Sequence, residues 1–223
     1  IGNKIIQLDV VDSTNNFTAN LLKSGELVHG TVILADEQTA GRGQRGSEWQ
    51  SEGGSNLIFS VFVEYDNLAV EHQMSIHHWV ALSVQQLLAE SGINSKIKWP
   101  NDLLVDSKKI AGILIENQLT HSCVKSSIIG IGLNVNQTNF GDLNATSMRN
   151  VIGEFKPIKE IAFQLISCLN RQMNGIVNHL YSELKTTYHQ SLWKFGEVVA
   201  FEWNGIEKTG KIIGTDESGL LKM

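Results

Sequence analysis

Apolar residues recur along this chain at two spacings, and the spacing changes from segment to segment. Runs rich in Val, Ile, Leu and Phe predict strands in "GTVILADEQTA", "SNLIFSVFVE" and "SCVKSSIIGIGLNVN". Helical spacing predicts one helix that begins near Ser13–Asn15 and ends at Gly25, and a second within His72–Glu90. The first half of the chain therefore mixes strands with helices.

The second half contains a strand-rich region, a long helix and a tail of different character. Residues 96–118 predict three short strands, separated at Pro100 and at the turn "DSKK". Pro157 opens what we predict to be the longest helix, with an apolar face that runs to Leu184. Short strands around the hairpin signal Asn204-Gly205 then predict a small all-β module at 191–223, after a main domain at 1–190.

The order of these elements indicates the fold class. Strands and helices do not alternate regularly, as they would in a doubly wound parallel sheet. We therefore predict an α+β fold with a mixed, largely antiparallel sheet and flanking helices.

Composition narrows the class of protein further. With 42% hydrophobic and 18% charged residues in 223, the chain can form a core and is not disordered. Its net charge of −5 argues against a general nucleic-acid binder. The two cysteines predict reduced thiols in a cytoplasmic protein, and no apolar run is long enough to predict a membrane span. The first residue is Ile1, so we expect a trimmed start.

A glycine-rich stretch, "GRGQRGSEW" at 41–49, is the first candidate for chemistry. Its spacing fits G-x-G-x-x-G, but the following "SEWQSEGGSN" has no helical period, so a dinucleotide loop is disfavoured. The G-K-[ST] ending of a P-loop is also absent. Half of the four arginines of the chain, Arg42 and Arg45, lie here beside Trp49. The stretch therefore suits a loop that covers an anionic, nucleotide-like ligand, although an exposed loop without function is also open.

Further polar groups lie at the ends of predicted strands. "KWPND" at 98–102 presents an amide and a carboxylate, which suits a nucleotide and its Mg²⁺ or a plain turn. "KKIAGILIE" at 108–116 places lysines before a strand, and "GIGLNVN" at 130–136 ends in two amides. His77 and His78 lie on the predicted middle helix without H-E-x-x-H spacing, so we expect them to be surface or core residues rather than metal ligands. Arginine, lysine, carboxylate and glycine loop together are the parts needed to activate a carboxylate with ATP.

These stretches, with "DSTN" at 12–15 and "NLIFSV" at 56–61, resemble the motifs of biotin protein ligases (biotin–[acetyl-CoA-carboxylase] ligases) in order and spacing. The resemblance covers about the first 140 residues, and the tail looks like the family's small C-terminal β-barrel. It implies a fold related to class II aminoacyl-tRNA synthetases and lipoate ligases. It also implies a reaction in which ATP converts biotin to biotinyl-5′-AMP, from which biotin passes to a lysine of a carrier domain.

The resemblance carries biotin-binding roles over to one set of residues. Ser13, Thr14 and Gln38 would hydrogen-bond the biotin ring system, and the glycine loop would follow the biotin tail and the adenylate. The full biotin set is Ser13, Thr14, Asn15, Gln38, Gly41, Arg42, Gly43, Gln44, Lys109 and Gly112.

The resemblance carries nucleotide and catalytic roles over to a second set. Lys109 would bridge the biotin carboxylate and the α-phosphate, with Arg42 as a further catalytic residue. Asp102 would help hold Mg²⁺ and assist deprotonation of the acceptor lysine. Arg45 would meet phosphate and Trp49 would lie against adenine once the loop orders. The full ATP-binding set is Arg45, Trp49, Asn101, Lys109 and Asn134.

One position departs from the family pattern. Gln44 stands where the family usually has a second arginine, and Ser47 stands where Arg or Asn is usual. We therefore expect this chain to hold the adenylate less tightly, unless Arg45 or Lys98 substitutes.

The resemblance implies ATP, Mg²⁺ and biotin as substrates and activator, with no tightly bound prosthetic group. The expected partner is the biotin carboxyl carrier domain of a carboxylase, with no DNA and no membrane, and a homodimer is left open. A lipoate or octanoate ligase of the same fold is an alternative. A biotin-responsive repressor is another, but "DSTN" begins at residue 12, which leaves no room for a DNA-binding domain in the given sequence. A non-catalytic biotin-binding protein would need neither Lys109 nor Asp102.

Overall fold

A seven-stranded sheet forms the centre of the structure, a computed structural model that describes residues 1–223. The first strand pairs in parallel with the second, and every other neighbouring pair is antiparallel. This confirms the predicted α+β class with a largely antiparallel sheet. The strands are β1 Lys4–Val11, β2 Thr31–Gln38, β3 Leu57–Ala69, β4 Lys96–Lys98, β5 Asp102–Val105, β6 Lys108–Leu119 and β7 Cys123–Leu133, in the order β1-β2-β3-β7-β6-β5-β4.

Six helices flank the sheet, and the first confirms its predicted ends. Ser13 is its extended N-cap, and Gly25 is its left-handed C-cap at φ 75°. None of the helices combines the length and apolarity needed to cross a membrane. The helices are α1 Thr14–Ser24, α2 Met74–Glu90, α3 Met148–Ile152, α4 Ile158–Gln172, α5 Asn174–Val177 and α6 Tyr181–Ser191.

Strand alternation separates the core from the side of the sheet that faces α1. In β3, Phe59, Val61 and Val63 join the large buried cluster that includes α2 and α4. Between them, Ser60 points to the opposite face and contacts α1. The Trp79 indole of α2 is fully buried and donates to a carbonyl of α4 at 2.9 Å, which fixes the two helices together. One face of the sheet therefore carries the core and the other is available for a site.

Two predictions about the second half of the chain are wrong. The predicted helix from Pro157 to Leu184 is three helices, because the helix is interrupted at Met173 and the chain turns again at residues 178–180, where His179 adopts φ 56°. α2, with 17 residues, is therefore the longest helix. In the first half of the chain, the strand β1 was not predicted.

The tail forms short strands, as predicted, but they do not close into a barrel. They make two separate two-stranded sheets: β8 Val198–Trp203 with β9 Ile206–Lys211, and β10 Gly214–Thr215 with β11 Leu221–Lys222. Strands of two residues offer too few hydrogen bonds to continue around a barrel. A domain boundary near residue 191 stays a prediction, since Leu192 and Ile212 join the same buried cluster as α2.

Candidate active site

The predicted motifs meet at one cavity of about 370 Å³ on the face of the sheet that contacts α1. The segment Gly41–Trp49, here called the lid, lies along this cavity. All predicted site residues except Gly41 and Asn134 line it. They are Ser13, Thr14, Asn15, Gln38, Arg42, Gly43, Gln44, Arg45, Trp49, Asn101, Asp102, Lys109 and Gly112.

One end of the cavity is a buried polar network at the start of α1. Gln38 Oε1 accepts hydrogen bonds from the Thr14 amide at 2.8 Å and the Thr14 hydroxyl at 3.1 Å. Ser60 Oγ lies 2.7 Å from both Thr14 Oγ1 and Asn15 Oδ1. The Ser13 hydroxyl is buried and makes no capping bond, although Ser13 is the N-cap. These fixed donors and acceptors can orient a small polar ring system.

The lid is a tight hairpin rather than an open loop. The Gly43 amide donates to the Ser47 carbonyl at 2.7 Å, and the Trp49 amide donates to the Gly41 carbonyl at 3.0 Å. A Cβ at Gly41 would clash with the Trp49 carbonyl oxygen, and one at Gly43 would clash with Ser47 Oγ. These two glycines therefore let the hairpin arms approach each other, whereas the sequence suggested approach to a ligand.

Trp49, at the end of the lid, lies on a floor made of two sheet glycines. A Cβ at Gly132 in β7 would come within 2.6 Å of Trp49 Cζ2, and one at Gly112 in β6 within 3.2 Å of its ring. The indole Nε1 is buried without a hydrogen-bond partner. A flat aromatic face buried over glycines, with a free N–H, is suited to stacking against a planar ligand.

Replacing Gly132 by alanine is expected to displace Trp49 and loosen the lid. The added methyl group would overlap the indole, and overpacking of this kind costs about 1–3 kcal/mol. Limited proteolysis of the ligand-free protein should then cut within 41–49 at least threefold faster. Gly53→Ala is the control, because its added methyl would meet only the flexible end of Glu37, 3.2 Å away. Equal cutting in both variants would mean that Trp49 does not depend on Gly132.

The other end of the cavity is basic and is built around Lys109. Lys109 Nζ lies 2.7 Å from Asp102 Oδ1 and 5.5 Å from the centre of the Trp49 ring. The register between β5 and β6 shifts here, since Leu103 pairs with Ala111 but Leu104 pairs with Lys109. This bulge leaves one extra residue in β6 and directs Lys109 toward the cavity.

The charges around the cavity differ from those of the whole chain. Three basic side chains, Arg42, Arg45 and Lys109, line it against two acidic ones, Asp102 and Glu48. The cavity thus has a basic excess in a chain with net charge −5. Lining of this sign favours an anionic ligand.

Two predicted nucleotide contacts have structural partners instead. Asn134 is buried outside the cavity, and its amide donates to the Thr146 carbonyl at 3.0 Å. Asn101 lines the cavity, but its amide donates to the Ile113 carbonyl at 3.0 Å. Nucleotide contacts by these residues stay predictions.

Sequence reasoning missed two polar residues behind the site. Ser60 is the single hydroxyl in the stretch "LIFSVFV", and this exception in an apolar run is a signal that could have identified it. Glu116 accepts hydrogen bonds from Arg42 and Asn15, both at 2.8 Å. No local pattern marked Glu116, because its partners lie 74 and 101 residues away in sequence.

Fold and site together define a protein that holds a small polar molecule beside an anion, under a hairpin of its own chain. The chain belongs to the Biotin/lipoate A/B protein ligase family, whose model matches residues 8–134.

Individual relatives agree with this assignment. The chain is 32% identical over 228 residues to the bifunctional ligase/repressor BirA of Bacillus spizizenii, covering 99% of this chain and 69% of that protein. It is 37% identical over 150 residues to the biotin–[acetyl-CoA-carboxylase] ligase of Mycobacterium tuberculosis, covering 64% of this chain and 54% of that protein. Among solved structures, it is similar to the biotin protein ligase from Aquifex aeolicus in complex with biotin and ATP. That comparison has a TM-score of 0.79 at 29% identity and covers 98% and 90% of the two chains.

Proposed function

We propose that this chain is a biotin–protein ligase. In the first step, a carboxylate oxygen of biotin attacks the α-phosphorus of ATP. The bond between the α-phosphorus and the oxygen that bridges it to the β-phosphorus breaks, and pyrophosphate leaves. In the second, the amine of a carrier lysine attacks the acyl carbon of biotinyl-5′-AMP, loses a proton, and AMP leaves. The proposal is supported by relatives named as biotin ligases and by the Aquifex aeolicus neighbour, which was solved with biotin and ATP.

The observation that carries this proposal is the shape and lining of the cavity under the lid. Its buried polar end, at Thr14 and Gln38, matches an uncharged ring system with several hydrogen-bonding atoms. Its basic end, at Lys109, matches the place where a carboxylate and a phosphate meet. A molecule that spans both ends would hold its carboxylate beside Lys109, so that proximity supplies much of the rate.

Lys109 and Asp102 are the proposed chemical groups. Lys109 offsets the negative charge that builds up as the carboxylate approaches the phosphate. Asp102, 2.7 Å from Lys109 Nζ, holds that ammonium in place before substrates arrive. After the first step, Asp102 is also placed to accept a proton from the incoming amine.

A magnesium ion is part of the proposal, with most of its ligands from the nucleotide. The structure contains no group of three or more acidic, histidine or cysteine side chains able to hold a metal. Mg²⁺ commonly needs only one or two carboxylates beside phosphate oxygens and water, and Asp102 fits that role. The ion would neutralise phosphate charge when bound.

The partner is proposed to be the biotin carboxyl carrier domain of a carboxylase. This is supported by relatives named biotin–[acetyl-CoA-carboxylase] ligase in Mycobacterium tuberculosis and Paracoccus denitrificans. The decisive test is mass spectrometry of such a domain after incubation with this protein, biotin and MgATP. A gain of one biotin on one lysine is expected. A parallel incubation with lipoate or octanoate tests the family's other branch, and modification only in that arm would overturn the proposal.

Gln44 is proposed to make adenylate retention weaker than in relatives with arginine at this position. The residue lines the cavity at the tip of the lid. Gln44→Arg would add a charged hydrogen bond to the phosphate of the adenylate. Such a bond should slow release of the adenylate roughly tenfold. Biotinylation of non-cognate lysines by released adenylate should therefore fall in Gln44→Arg. Gln190→Arg, on the exposed side of α6, is the control. The idea is wrong if wild type labels such lysines no more than Gln44→Arg does.

A further inference from the structure

Glu116 connects the lid to the polar end of the cavity without lining the cavity itself. One carboxylate oxygen accepts from Arg42 Nη2 at 2.8 Å, and the other accepts from Asn15 Nδ2 at 2.8 Å. Arg42 belongs to the lid, whereas Asn15 is buried in the first turn of α1. One side chain in β6 therefore contacts both the lid and the polar end of the cavity.

The partners of Glu116 are themselves held from other directions. Asn15 Oδ1 accepts from the Ser60 hydroxyl at 2.7 Å, so both the oxygen and the nitrogen of the Asn15 side-chain amide have partners. Arg42 Nη1 donates to Asn16 Oδ1 at 2.7 Å, and Asn16 in turn donates to Asp12. The guanidinium is thus fixed by two donor atoms at once, which restricts its orientation more than a single contact does.

The charges of the two side chains favour this arrangement. Arg42 lies in a basic cavity, and Glu116 provides the carboxylate that faces its guanidinium. The two side chains are 44% and 37% exposed, so water weakens the pair but does not remove it. The lid also contacts the sheet through the ring of Trp49, which lies against Gly112 and Gly132.

We propose that Glu116 is a positioning residue that keeps the lid hairpin closed over the cavity through Arg42 and sets the orientation of Asn15. The lid part of this inference needs no assumption about the reaction. The consequence for catalysis rests on the proposed function. Loss of Glu116 frees the base of the lid and one side of Asn15 together, so it weakens substrate capture more than the chemical step.

Amide hydrogen exchange of the ligand-free protein tests the lid part directly. The reporters are the Gly43 and Trp49 amides, which close the hairpin. In Glu116→Ala they are expected to exchange about fivefold faster, as suits a partly exposed charged pair. Exchange within α2 should not change. Glu64→Ala is the matched control, a carboxylate on β3 that has no ion pair.

Glu116→Gln keeps the test open if the alanine variant folds poorly. Glutamine retains the shape and one acceptor oxygen but loses the charge, so about a twofold rise at the lid amides is expected. Wild-type exchange at Gly43 and Trp49 in both variants would overturn the proposal. An equal rise throughout α2 would also overturn it, because Glu116 would then support the whole fold rather than the lid.

Steady-state kinetics test the catalytic consequence separately. For Glu116→Ala the KM for biotin should rise about fivefold while kcat stays within about twofold. A fall in kcat with unchanged KM would overturn the positioning role. If wild type itself forms no biotinyl-adenylate, the proposed function fails, while the exchange experiment still decides whether Glu116 holds the lid.

Discussion

Replacing Lys109 by alanine is expected to reduce adenylate formation by about 10²–10³-fold, the usual cost of removing a group that stabilises transition-state charge. The effect has a second physical source in this structure. Asp102, 2.7 Å from Lys109 Nζ, would lose its counter-charge and would then repel the incoming phosphates. Biotin binding should change by less than about threefold, because the polar end of the cavity is unaltered. Pyrophosphate release measures the first effect and calorimetry with biotin measures the second.

The neighbouring lysine provides the control for this prediction. Lys108 precedes Lys109 in β6 and is exposed, so Lys108→Ala changes charge equally without altering the cavity. It should release pyrophosphate at the wild-type rate. Wild-type release from Lys109→Ala would remove Lys109 from the mechanism, and equal losses in both variants would point to net charge rather than position.

Acid should destabilise the protein through two histidines of α2. Burial lowers the pKa of His77 to about 4 and of His78 to about 3, from an ordinary value of 6.5. His78 also lies near His77, His189 and Lys185, whose positive charges further lower its pKa. All ring nitrogens of His77 and His78 are buried without hydrogen-bond partners. Both imidazoles are therefore neutral in the folded protein well below pH 6.

The sign of the effect follows from which state binds the proton. Below pH 6.5 the unfolded chain protonates His77 and His78, whereas the folded chain keeps them neutral until pH reaches their lowered pKa values. Stability is therefore complete above pH 6.5 and is lost as pH falls. At pH 5 the free energy of unfolding should be lower by roughly 2 kcal/mol for each histidine. Urea unfolding at pH 7.5 and pH 5.0 measures this loss.

Replacing His78 by phenylalanine, which has a ring but no titrating group, distinguishes histidine protonation from other effects of acid on stability. The centre of the His78 ring lies 4.4 Å from that of Tyr188, with the two rings tilted by 37°, and phenylalanine would keep that contact. His78→Phe should remove about half of the pH-dependent loss. The exposed His121→Asn should leave the loss as in wild type. Identical pH dependence in wild type and His78→Phe would contradict the assignment.

The fold could be predicted where local signals were strong. Ser13 and Gly25 gave the ends of α1 correctly, because N-cap and C-cap preferences act within a few residues. The break after α5 was missed, because the apolar period continues across it and only the left-handed backbone at His179 reveals the turn. The barrel expected in the tail is absent, since a hairpin signal such as Asn204-Gly205 specifies one strand pair and not how pairs join.

The site was predictable in its parts but not in its connections. "GRGQRGSEW" and "KWPND" marked segments that do meet at one cavity. Glu116 could not be found in this way, because an acidic residue near the end of a strand has no distinctive local pattern. Asn134 also has a partner that no local pattern indicated, since its amide donates to the Thr146 carbonyl, while its predicted nucleotide contact stays a prediction. Local sequence indicates which residues lie near a site. Which side chains form hydrogen bonds with each other depends on the register of strands that are distant in sequence.

Two residues just before Asp102, Ile97 and Trp99, are held by segments that come much later in the chain. The Trp99 indole donates to the Gly219 carbonyl at 2.8 Å, and the Trp193 amide donates to the Ile97 carbonyl at 2.7 Å. These partners lie 96 and 120 residues after the positions they secure. Both contacts can therefore be in place only after the chain has been synthesised beyond residue 219, long after the residues they secure have left the ribosome.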